Sequence, residues 1–138
     1  MEVFLDSNIF LRAILRDDKK KAAHCLKLFE KVDRGEVGAA TSTLVLNEIL
    51  WVLEGYKVER KEIAERLDAI ARSNLEILGT KDSSIVLESL AYYRDLEVDF
   101  IDALNACIAR ENEIQMIVTY DSHFEKLDFV ETAMPESI

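Results

Sequence analysis

The sequence predicts an α/β fold: a mostly parallel central sheet of four to five strands, helices on both faces, and one domain over residues 1–138. Three observations predict it. Short apolar runs alternate with longer stretches of helical periodicity along the chain. No repeat, low-complexity tract or linker interrupts that alternation. A length of 138 residues, with 49% hydrophobic and 32% charged, suits a soluble domain that can bury a real core.

The first strand is "VFL" at residues 3–5, and "NIFLRAILR" after it is a short helix. "DKKKAAHCLKLFEKVDRG" is a longer one, with Ala23, Leu26, Phe29 and Val32 spaced for one face and Gly35 near its C-terminus. "VGAAT" is the second strand. "TSTLVLNEILWVLEG" is a helix that is apolar over most of its circumference and ends near Gly55, with Trp51 and Tyr56 expected in core packing ahead of the alternative, an interface. "ERKEIAERLDAIARSN" sets Ile63, Leu67, Ile70 and Ala71 on one side and charge on the other. "LEIL" is the third strand. "DSSIVLESLAYYRDLE" and "DFIDALNACIARENE" are helices, "QMIVTY" is the fourth strand, and "FVET" adds a short last one.

Net charge is −10, which argues against a protein that wraps long nucleic acid non-specifically. It leaves a nuclease open, because a carboxylate-built metal site itself makes a chain acidic. "RAILRDDKKK" concentrates five of the 17 basic residues, which reads first as a solvated helix start. Asn8, Arg12 and Arg16 are spaced by four, so they are also expected to line one helix face that guides a phosphate backbone. The N-terminus lacks the pattern of a signal peptide, and no apolar run approaches a membrane span. Cys25 and Cys107 are too few for a disulfide framework and read as buried thiols of a cytoplasmic protein.

Four acids stand in places that ordinary solvation does not explain. Asp6 and Asp121 each follow the last apolar residues of a predicted strand, and parallel sheets bind ligands at that edge. Each also has a plain structural reading: Asp6 as a helix cap, Asp121 as turn chemistry. Glu48 lies in "TLVLNEILWVL", where almost every neighbour is apolar. Asp102 shares a face of small and polar residues with Asn105, Ala106 and Ala109, which leaves room for a ligand; it also suits the first turn of a helix capped by Asp99. Positions 6, 48, 102 and 121 converge only in three dimensions. Clustered carboxylates repel and cannot all stay ionised without a cation. An all-oxygen set calls for a hard divalent ion, Mg²⁺ or Mn²⁺. His24 and His123 lack ligand spacing and read as surface or rim residues.

The four motifs together resemble the PIN domain, the metal-dependent nuclease fold found in VapC-type toxins of toxin–antitoxin pairs. "FLDSN" resembles the opening strand, with Asp6 as first acid and Asn8 beside it. "TSTLVLNEILWVL" resembles the helix of the second acid, Glu48. "DFIDALNACIA" resembles the segment of the third, Asp102, and "IVTYDSHF" the strand end that carries Thr119 and Asp121. The resemblance spans nearly the whole chain. It implies hydrolysis of RNA phosphodiesters, with Asp6, Glu48, Asp102 and Asp121 as metal ligands directly or through water. The fold implied is Rossmann-like; Asn8 and Thr119 would orient ligands or substrate, and Asp99 is a fifth acid nearby that would ligate, cap or do neither. A homodimer and a small inhibitory antitoxin are implied as well, with no membrane association.

Other readings compete. A haloacid-dehalogenase-type phosphatase needs a second Asp two residues after the first, where this chain has Asn8. A phosphoryl-receiver domain needs a lysine at the end of a later strand, and "VTYDSH" has none. A non-catalytic binding module and a stand-alone RNA-processing nuclease share the same motifs, so sequence does not separate them from a toxin.

Overall fold

Val3, Phe4 and Leu5 are fully buried, so the opening strand lies at the centre of the molecule. A strand with no polar alternation is one covered on both faces. The structure, a computed structural model, describes residues 2–138. Its elements are β1 (Glu2–Leu5), α1 (Ser7–Leu15), α2 (Lys19–Asp33), β2 (Gly38–Ser42), α3 (Thr43–Gly55), α4 (Arg60–Arg72), β3 (Glu76–Leu78), α5 (Ser83–Leu96), α6 (Phe100–Glu111), β4 (Met116–Val118) and β5 (Glu131–Ala133). A 3₁₀ turn, Pro135–Ser137, follows. Among the described residues no helix is long and apolar enough to cross a membrane.

The five strands form one sheet in the order β3-β2-β1-β4-β5, every neighbouring pair parallel. From β1 the chain steps outward through β2 to β3, then returns to the far side of β1 for β4. α1 packs on α2 and α3, α3 on α4, and α5 on α6. Right-handed crossovers in opposite directions put α1–α4 on one face and α5–α6 on the other. The order reverses between β1 and β4, which opens a crevice beyond their carboxyl ends.

Three helices differ from their sequence reading. On α2 the buried stripe is Ala22, Cys25, Leu28 and Val32, while Ala23 and Leu26 are exposed. Both stripes have helical spacing, and the packing on α1 selects the one that buries Cys25 and Leu28. On α6 the small, polar face is not an open space. Residues 103–109 are all buried, so small side chains here let the helix lie close to its neighbours. Asn105, 0% exposed, accepts a 2.5 Å hydrogen bond from Ser42 Oγ, and the same oxygen accepts from Val45 N at the start of α3. Trp51 and Tyr56 are exposed instead of packed in the core; Val45, Ile49 and Leu53 bury α3.

Helix ends show how a glycine-poor chain turns. Gly35 (φ 74) follows α2, and Gly35 N and Glu36 N donate to Val32 O and Lys31 O, a paired motif that closes the last carbonyls. The same pair closes α3 through Lys57 N to Glu54 O and Val58 N to Leu53 O, but there the left-handed residue is Lys57 (φ 61). Gly55 is the last residue of that helix, as expected, and is not the left-handed one. An added Cβ at Gly35 would meet nothing within 4 Å, so its only penalty is backbone strain. Gly35→Ala is expected to cost about 1 kcal/mol and Lys57→Gly to gain a similar amount. Urea midpoints at unchanged m-value measure both. A Gly35→Ala protein as stable as wild type would show that this turn relaxes out of the left-handed region.

Candidate active site

One residue past the paired Leu5 and Val118, β1 and β4 deliver Asp6 and Thr119 to the crevice. Asp6 N still donates to Val118 O at 3.1 Å, so the ladder fixes its backbone. Asp6 is the N-cap of α1, with Oδ1 accepting from Ser7 N at 2.9 Å. Its Oδ2 accepts from Thr119 Oγ1 at 2.8 Å and Asn8 Nδ2 at 3.0 Å. Cap and site are therefore not alternatives: one oxygen serves the helix and the other faces β4.

Asn8 ties the cluster together. Its amide nitrogen lies 2.9 Å from Thr119 Oγ1 and 3.2 Å from Asp121 Oδ2, and its Oδ1 accepts from Tyr120 N at 3.1 Å. Thr119 Oγ1 also accepts from Asp121 N at 3.0 Å. Asp121 is thereby held beside Asp6 by its own backbone and by Asn8.

Asp6, Glu48, Asp102 and Asp121 line one cavity of about 720 Å³. They come from the end of β1, from α3, from α6 and from the loop after β4. Burial raises the pKa of Asp6, which is 4% exposed; hydrogen bonds from Thr119 and Ser7 oppose this, and the charges of Glu48 and Asp121 add to it. Asp102 is pushed up to about 7, first by burial and next by the charge of Asp6. His123 partly offsets that rise, while Asp99 and Glu48 reinforce it. His123 Nδ1 stands 3.3 Å from Asp102 Oδ2 and 3.8 Å from Asp121 Oδ2.

Asp99 occupies the N-cap position of α6 but makes no side-chain cap hydrogen bond, and it too lines the cavity. Arg12 and Arg16 do not. Arg12 turns to Asp17, with Nη1 3.2 Å from Oδ2. α1 ends at Leu15, so Arg16 takes a left-handed conformation (φ 53) and lines a separate groove with Phe10, Ile14 and Phe29. The continuous basic face expected from their spacing is not formed. Beside the acids, the cavity lining includes Asn47, Trp51, His123 and Lys126. The only sequence signal for them is proximity: Asn47 and Trp51 within a turn of Glu48, and His123 two residues past Asp121.

The donor set fits a hard cation: oxygen ligands, three from a strand end and two helices and one from a tethered loop, with mutual repulsion for a cation to relieve. Among the described residues no three ligand side chains are already closed around one point. An open ring of acids suits an ion such as Mg²⁺, which keeps several waters and few protein ligands.

A family model described as "PIN domain" matches residues 3–130. The chain is 25% identical over 126 residues to a VapC ribonuclease of Aquifex aeolicus (strain VF5), covering 91% of each. It superposes with a TM-score of 0.71 on VapBC2 from Rickettsia felis, solved bound to a DNA fragment from their promoter, at 21% identity over 97% of this chain and 98% of that one. A toxin–antitoxin complex from Klebsiella pneumoniae matches with a TM-score of 0.63 at 17% identity, covering 96% and 97%.

An acid whose folded pKa lies above its unfolded value binds an extra proton in the folded state between the two. Its contribution to stability is present at low pH and is lost as pH rises through the folded value. For Asp102 that window runs from 3.8 to about 7. In EDTA, Asp102→Asn is therefore expected to melt above wild type at about pH 8, with the gap closing toward about pH 5. A melting difference that does not change with pH would show that Asp102 does not carry this strain.

Proposed function

The chain belongs to the PIN-domain family, and from that premise we propose that it is a Mg²⁺- or Mn²⁺-dependent endoribonuclease, the toxin of a type II toxin–antitoxin pair. The observation that carries the activity is the convergence of four carboxylates, from four separate elements, on one cavity at the point where strand order reverses. The similarity to a VapC ribonuclease over most of both chains supports RNA as substrate. The likeness to toxin–antitoxin structures supports a small antitoxin partner.

Asp6, Glu48, Asp102 and Asp121 would hold the cation. A divalent ion held there would offset the carboxylate charge and supply Lewis-acid activation of water and of the scissile phosphate. The chain's own residues position the rest. Thr119 and Asn8 fix the Asp6 carboxylate in one orientation, and Asn8 holds Asp121 beside it. Asp99 adds negative charge next to Asp102. Lys126 stands at the cavity margin, where its ammonium can meet a flanking phosphate.

We place the activity in one domain over residues 1–138. The cytoplasm suits it, since Cys25 and Cys107 are free buried thiols. Support for a homodimer comes from α5, where Leu87, Leu90 and Tyr93 stand exposed at i, i+3 and i+6.

Asp6→Asn or Asp121→Asn should reduce cleavage of single-stranded RNA by about 100-fold or more, since each removes charge that stabilises the reacting centre. Circular dichroism should be unchanged. Full activity in EDTA, or in the double variant, would overturn the reading. Thermal melts give a second readout. Mn²⁺ should raise the melting temperature of wild type more than that of Asp121→Asn, because only binding to the native state adds RT ln(1 + [L]/Kd).

A further inference from the structure

Trp51 is the one tryptophan of the chain and is 71% exposed. A tryptophan carries more apolar surface than any other side chain, and leaving it in water gives up that burial. Its place on α3 gives it a use. Val45, Ile49 and Leu53 bury the helix, and Trp51 stands on another face with Leu44, Asn47 and Glu48, all four lining the acidic cavity. Glu48 is three residues before it, about 4.5 Å along the axis, and helical side chains lean toward the N-terminus. The indole therefore borders the mouth of the site. Past it, a second hollow of about 510 Å³ runs along the end of α3 to Tyr56, itself 64% exposed.

We propose that Trp51 is a stacking platform for an unpaired nucleobase of the substrate RNA, next to the phosphate held at the acids, with Tyr56 extending the track. The proposal rests on the ribonuclease reading and names a subsite for it. The charge of the chain argues for it. A protein of net charge −10 whose cavity has seven acids against Lys126 and His123 cannot draw its binding energy from neutralising many phosphates. Stacking on an aromatic face needs no cation and accepts every base. A strand whose phosphate reaches Glu48 and Asp102 passes beside the indole. The platform is continuous with the candidate site, which commits the exposed surface to RNA in preference to a second copy of the chain.

Because Trp51 is the sole tryptophan, its emission reads the contact directly. The full-length Asp121→Asn protein in Mg²⁺ would be titrated with a single-stranded oligoribonucleotide, following anisotropy of a labelled copy and tryptophan emission with an unlabelled one. Saturable quenching is expected with the oligonucleotide and not with an abasic ribose-phosphate chain of equal length. Trp51→Ala in that background should weaken binding between about 5- and 150-fold, with Trp51→Phe restoring most of it and the salt slope unchanged. RNA bound with unchanged emission, or unchanged affinity in Trp51→Ala, would overturn the platform and leave the nuclease reading standing. Wild-type emission that shifts with protein concentration without RNA, and a smaller sedimenting species for Trp51→Ala, would make Trp51 an interface between copies and overturn it too. If neither Asp121→Asn nor wild type binds RNA, the ribonuclease reading falls and takes the platform with it.

Discussion

The hydrogen bond from Thr119 Oγ1 to Asp6 Oδ2, 2.8 Å long, joins the two strands between which the sheet reverses its order. Beyond Leu5 and Val118 the backbone ladder runs out and the chain diverges into α1 on one side and a loop on the other. Side chains must take over there. Asp6 accepts three hydrogen bonds, from Ser7, Asn8 and Thr119, and such charge-assisted bonds are worth about 1.5–3 kcal/mol each. They offset the cost of burying a carboxylate without cancelling it, since the pKa of Asp6 remains raised. The site is thus stable enough to form and still strained by its charge.

Glu48 and Asp102 depend on a second, buried link. Asn105 lies one turn beyond Asp102 on α6, and Ser42 is the N-cap of α3, six residues before Glu48. Their 2.5 Å hydrogen bond sets the start of one acid-bearing helix against the other. Asn105 Nδ2 has no hydrogen-bond partner among the described residues, a cost the fold accepts at a fully buried position. Small residues on α6 complete the arrangement by letting the helix sit close enough for the bond to form. Alanine at 103, 106 and 109 is thus a packing choice that positions Asp102, and the cavity opens at the end of the helix instead of along its side.

The architecture was legible because strands and helices here differ strongly in period. All five strand runs and all six helical patterns correspond to observed elements, with shifts of a residue or two at their ends. Faces were harder. α2 carries two stripes of equal spacing, and only the neighbouring helix decides which is buried. Arg12 and Arg16 misled for a local reason: Arg16 lies one residue past the helix, so spacing by four no longer places it. Glu48 was conspicuous because a carboxylate on an apolar helix needs explaining. Asp6 was not, since a helix cap and a cavity acid have the same side chain after the same kind of strand. Lys126 and His123 reach the cavity through the irregular path of residues 119–130, which no periodicity describes.

The carboxylates have little freedom to move apart: the end of β1, α3 and α6 hold Asp6, Glu48 and Asp102, and Asp121 on the loop is tied to Asn8 and Thr119. Only two routes relieve that repulsion, a proton or a cation. The proton route is visible in Asp102, pushed up to about 7 by burial and by its neighbours, but protonation removes the negative charge that the chemistry needs. The cation route keeps every acid ionised and brings positive charge to the one place where an acidic protein must meet a polyanion. On the proposed metal-dependent reading, rigidity, crowded charge and metal dependence are one property: loosening the scaffold would stabilise the metal-free chain and weaken its hold on an ion at the same time.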